Sequence, residues 1–185
     1  MKRQALAALA LGAGLAFATP GFAQKPVTVG GAPMFANNTT VENAVNSKDH
    51  TTLVAAVKAA GLVDTLSGKG PFTVFAPTND AFGKLPAGTV DNLVKPENKA
   101  TLTKVLTYHV VPGKLTAADL TKQVKDGKGK AMLKTVQGEE LMVSEASGGK
   151  VQVVDVKGGK ATVTTPDVLQ SNGVIHVVDA VLMTK

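Results

Sequence analysis

The chain has 185 residues, 44% hydrophobic and 18% charged, with a formal net charge of +6 and no Cys. This profile excludes a disordered or collagenous chain, and the missing Cys excludes a disulfide-clamped mini-protein, a Cys nucleophile, a Cys metal site and thiol redox chemistry. At this length a core can form without disulfides or a structural metal.

The first residues read as an export signal. Lys2 and Arg3 form a short basic start, Ala5 to Ala18 are apolar apart from Gly12 and Gly14, and Gly21-Phe22-Ala23 offers small residues for a signal peptidase. The expected signal is therefore 1–23, with cleavage after Ala23 and a secreted or periplasmic product. The apolar run is shorter than the roughly 20 residues a spanning helix needs, so the mature chain is expected to have no transmembrane span. Losing Lys2 and Arg3 takes the 20 basic residues to 18 against 14 acidic ones, a mature net charge of +4. Without Arg or Trp, and with a single Tyr, that chain lacks the forks and stacking platforms of a nucleic-acid reader.

Residues 24–38 are rich in Pro, Gly and Asn and read as an extended leader, with Met34 and Phe35 as docking points. The domain proper is expected over 39–185. Thr39 and Glu42 have capping-box spacing, which predicts a helix to about Val45. Asp49 is expected to cap a second helix, Thr51 to Ala60, stopped by Gly61. Phe72 to Ala76 reads as a strand, and Leu102, Val105, Leu106 and His109 form the stripe of a helix over Asn98 to His109. A short helix over Thr116 to Gln123 follows. Strands are then expected at Ala131–Val136, Glu140–Ser144, Lys150–Asp155, Ala161–Thr165 and Val174–Met183, with Gly148-Gly149 and Gly158-Gly159 as turns of a meander. Helices first and strands later make an α+β domain.

Three segments, FTVFAPTNDAF (Phe72 to Phe82), YHVVPG (Tyr108 to Gly113) and NGVIHVVDAVLM (Asn172 to Met183), resemble in order and spacing the signature segments of the fasciclin domain. The resemblance covers roughly Val41 to Met183. It implies a two-sheet β-wedge with several helices packed to one side, in a secreted or surface module used for cell adhesion and matrix contact. In animal members a Tyr-His pair with flanking branched residues is a proposed adhesion motif, and the matching positions are Tyr108, His109, Val110 and Val111. A second family motif pairs Asp with Ile; here Asp179 is followed by Ala180.

The residues also have structural readings. His109, last on its apolar stripe, reads as a buried His hydrogen-bonded to Asp80 or to a backbone carbonyl. Thr78, Asn79 and Asp80 form a supporting polar group, with Asp80 as a helix cap. Val174 to Met183 is apolar on both faces and reads as a central strand, in which Asp179 needs a hydrogen-bonded place. No Gly-x-Ser-x-Gly elbow, Walker loop or His-Glu-x-x-His helix is present, and the three His lack metal-ligand spacing. No catalytic, metal or cofactor residues are assigned. The resemblance therefore implies a non-enzymatic exported adhesion module, expected to be monomeric or weakly self-associating, whose partner is a cell-surface or matrix protein or polysaccharide. Lys-rich loops such as Lys122 to Lys130 would serve acidic polymers. The alternative is a carrier of an apolar small molecule, a lipid or carotenoid, in the wedge between the sheets.

Overall fold

The computed structural model describes residues 26–185; the expected signal at 1–23 lies outside the described residues. The stretch expected to be an extended leader instead folds as an antiparallel hairpin of β1 (Val27–Val29) and β2 (Ala32–Met34). Gly30 and Gly31 supply the reason, with φ of +59° and +76° in the two-residue turn that suits right-twisted strands. Met34 is buried as expected, whereas Phe35 is exposed.

The expected capping box starts α1 (Thr40–Asn46), where Thr39 N donates to Glu42 Oε2 and Glu42 N to Thr39 Oγ1. The next helix, α2 (Thr51–Ala60), ends on Gly61 in the left-handed conformation, as predicted. Its start departs from expectation. Asp49 lies inside a 3-10 turn, Lys48–His50, which leaves His50 at the cap position and moves Asp49 out of reach. Three short helices, α3 (Val63–Ser67), α4 (Asn79–Gly83) and α5 (Thr89–Leu93), precede α6 (Lys99–Tyr108), which buries the predicted stripe. A second capping box, Thr116 with Asp119, opens α7 (Ala117–Asp126).

The other strands are β3 (Phe72–Pro77), β4 (Val110–Pro112), β5 (Lys130–Lys134), β6 (Glu140–Ala146), β7 (Lys150–Val154), β8 (Lys160–Gln170) and β9 (Gly173–Val178). They form one seven-stranded sheet in the order β4-β3-β9-β8-β7-β6-β5. Only β3 and β9 run parallel. The long β8 shifts register twice between Val163 and Val168 and turns the sheet there, pairing with β7 through its first residues and with β9 through the rest. The two halves fold toward each other until Val136 N donates to Val110 O at 2.8 Å, joining the edges near β4 and β5. The result is an α+β wedge that nearly closes on itself.

Two cores follow from the side-chain alternation of these strands. On β3, Val74 and Ala76 face the core under the helices, while Phe75 faces the core between the sheet halves; Val110 and Val111 divide in the same way. The first core is closed by α1, α2, α3, α4 and α6, and the second by Leu120 and Val124 of α7. Every residue of β9 is buried, as predicted for a central strand.

Candidate functional site

The Tyr-His segment sits where α6 passes into β4. Its four candidate recognition residues, Tyr108, His109, Val110 and Val111, are all 3% exposed or less. All four side chains are packed into the core. His109 Nδ1 lies 2.7 Å from the Val105 carbonyl, the i−4 acceptor at the end of α6, and Nε2 accepts from Leu182 N at 3.0 Å. Both ring nitrogens are thus occupied in the neutral form. Burial pushes the imidazole pKa down to about 4, against the opposing influence of the Val105 carbonyl and the Asp155 charge. The expected partner is therefore the carbonyl; Asp80 is exposed and does not serve His109.

Tyr108 spans the second core. Its hydroxyl donates to the Glu140 carbonyl and accepts from Val156 N, both at 3.2 Å, tying α6 to β6 and to the turn after β7. Desolvation pushes its pKa up to about 12. In the same way, His176 of β9 bonds the Leu115 carbonyl through Nε2 at 2.7 Å, accepts from Asp167 N, and stacks on Phe75 with ring centroids 5.6 Å apart.

The four supporting residues divide among different tasks. Thr78, not Asp80, caps α4, its hydroxyl accepting from Ala81 N. Asn79 acts at a distance: its Oδ1 accepts from Thr51 Oγ1 and Thr52 N, and its Nδ2 donates to the Lys48 carbonyl, so it caps α2 from another element. Asp80 lies exposed in the first turn of α4, where a negative charge suits the helix end. Asp179, just past β9, accepts from Thr162 N at 2.7 Å, and its carbonyl accepts from Lys84 Nζ. That is a structural place at a strand end, consistent with its expected hydrogen bonding.

One consequential residue, Asp155, escaped the sequence reading. Asp155 organises the turn after β7 by accepting from Lys157 N and Gly159 N, and holds the C-terminal segment by accepting from Met183 N. Its signal was the Asp-x-x-Gly-Gly spacing, read only as a turn. On the outer surface, Lys122 and Lys125 of α7 face Lys150 of β7 across a groove of about 700 Å³, with Thr121 and Thr164 also lining it. No group of three or more His, Asp or Glu among the described residues is placed to hold a metal ion. Nor is any described helix long and apolar enough to cross a membrane.

Fold and surface together define an α+β module with a buried histidine framework and a lysine-lined outer groove. The Fasciclin domain profile matches residues 48–184. The chain belongs to the fasciclin domain family. It is 52% identical over 160 residues to Protein sll1483 of Synechocystis, covering 86% of this chain and 81% of that one. It is 38% identical over 145 residues to the immunogenic protein MPB70 of Mycobacterium bovis, covering 76% of this chain and 66% of the relative. A FAS1 domain pair from the insect cell adhesion molecule fasciclin I shares the fold, with a TM-score of 0.70 at 22% identity over 80% of this chain and 51% of that one.

Proposed function

We propose that this chain is an exported, non-enzymatic adhesion module whose contact surface is the lysine-lined groove between α7 and β7–β8. The observation that carries the reading is the groove itself. Lys122, Lys125 and Lys150 approach it from two elements, above a floor that includes Val151, Val163 and Pro166. Three ammonium groups around one concave surface attract an anionic chain. Asp126 is the one acidic residue lining the groove, so the charge balance there remains positive. The partner is an acidic polysaccharide of a cell surface or matrix. Adhesion also accords with the insect relative, a cell adhesion molecule that contains the same fold.

The test is retention on acidic polysaccharide and on whole cells, measured for the folded protein and for a Lys122→Glu/Lys125→Glu/Lys150→Glu variant. The unmodified protein should be retained at low ionic strength and released as salt shortens the Debye length from about 30 Å at 0.01 M to about 8 Å at 0.15 M. The variant should lose retention at unchanged Tm. Equal retention of both would overturn the assignment of this groove.

A further inference from the structure

The outer face of β5, β6 and β7 departs from the polar surface expected where a sheet packs only its other face on a core. Inward, Leu133, Leu141, Val143, Val151 and Val153 join the core closed by α7. Outward, the strand register sets Met132 opposite Met142 and Met142 opposite Val154, an apolar row across three strands with Lys160 of β8 next in line. Met132 is 55% exposed, Met142 is half-buried, and Val154 is covered without belonging to either core. Val156, two residues past Val154, is 37% exposed. It is held beside β6 because the Tyr108 hydroxyl bridges its amide to the Glu140 carbonyl. Lys130 and Lys134 stand two residues to either side of Met132, so with Lys160 they border the row with three ammonium groups. Among the described residues none of the three is in an ion pair. Glu140, opposite Lys134, is the acidic residue in these rows.

We propose that this face docks on the surface of an anionic lipid bilayer. Met132, Met142 and Val156 enter the boundary between headgroups and acyl chains, while Lys130, Lys134 and Lys160 contact the phosphates. Charge selects the occupant. A second copy seated face to face would press these lysines against their own symmetry mates, and a neutral partner would leave them unused. An anionic bilayer answers both halves of the pattern, because it offers phosphates around an apolar interior. Methionine suits a boundary without fixed shape, since its unbranched thioether adapts to irregular surroundings, and the lysine stems can lie along the apolar row with their heads in the phosphate layer. Side-chain alternation puts this face on the opposite side of the strands from α7, so it is independent of the adhesion groove.

The probe is vesicles of phosphatidylglycerol and phosphatidylcholine in equal parts, compared with pure phosphatidylcholine at low ionic strength. The readouts are co-flotation and the methyl NMR signals of methionine-labelled protein. The protein should float with the anionic vesicles and not with the neutral ones, and a spin-labelled lipid should broaden the Met132 methyl signal ahead of that of buried Met34. Lys130→Gln/Lys134→Gln/Lys160→Gln should weaken binding by about fivefold per lysine. Met132→Gln, which leaves the net charge unchanged, should weaken it by about fivefold at unchanged Tm. Equal flotation with both vesicle types, full binding by either variant, a Met132 signal untouched by the labelled lipid, or a Met132-dependent dimer in place of vesicle binding would each overturn the proposal. Met132→Gln should keep its retention on acidic polysaccharide, so failure of this face and failure of the lysine groove are read separately.

Discussion

Lowering the pH from 7 to 4.5 should destabilise this fold well before its carboxylates titrate. His109 falls from an ordinary value of 6.5 to about 4 in the folded chain, and burial shifts His50 and His176 in the same direction. Above pH 6.5 each ring is neutral whether folded or unfolded, so the stability is fully present. Below it the unfolded chain takes up protons that the folded chain refuses, and stability is lost until pH 4, where His109 also protonates in place. At about 1.4 kcal/mol per pKa unit, His109 alone accounts for roughly 3 kcal/mol. That is a large share of the 5–15 kcal/mol typical of a folded domain. Urea unfolding at pH 7.5, 6.5, 5.5 and 4.5 measures the slope, and the His109 Cε1 proton signal reports its pKa directly. His109→Gln should lower overall stability but flatten the pH dependence by up to about 1.4 kcal/mol per unit. A stability that stays level from pH 7 to 4.5, or a His109 signal titrating near 6.5, would refute the reasoning.

Two substitutions separate neighbouring residues that look alike in sequence. Asn79→Ala removes the cap of α2 together with its bond to the Lys48 carbonyl and should cost about 1–2 kcal/mol in chemical denaturation, whereas exposed Asp80→Ala should stay within about 0.5 kcal/mol. Tyr108→Phe leaves the Val156 amide and the Glu140 carbonyl without their shared hydroxyl, so a loss of about 1–3 kcal/mol is expected. Retention of its folded fraction on acidic polysaccharide should be unchanged; a selective loss of retention at native stability would restore the segment as a recognition surface.

Local chemistry was legible in the sequence where a single element determines it. The Thr39–Glu42 box, the Gly61 stop, the α6 stripe and the burial of β9 all follow from spacing and residue type. What stayed hidden depends on residues far apart in the chain. The strand expected over Ala161–Thr165 continues as β8 to Gln170, because Asp167, at φ +55°, bonds His176 through its amide and accepts from Ala117 N. The apolar alternation through Val181-Leu182-Met183 suggested that β9 continues, but these residues leave the sheet. Side chains hold them instead: His109 takes the Leu182 amide and Asp155 the Met183 amide. Periodicity cannot register a bond of that kind.

The Tyr-His pair is better explained by this long-range joining than by recognition. A wedge of two sheet halves needs ties across its hinge, and backbone ladders cannot supply them where the strands diverge. Tyr108 reaches β6 and the turn after β7, His109 reaches the C-terminal segment, and the His109 carbonyl accepts from Phe75 N on β3. Two consecutive residues thus connect α6 to β6 and the turn after β7 through the Tyr108 side chain, to the C-terminal segment through the His109 ring, and to β3 through the His109 carbonyl. The requirement is for buried groups that both donate and accept at a fixed distance, which a phenol and a neutral imidazole meet and a carboxylate or an ammonium would meet only with a charge to bury. Recognition is then left to surfaces that the core does not consume, and the groove of Lys122, Lys125 and Lys150 is such a surface.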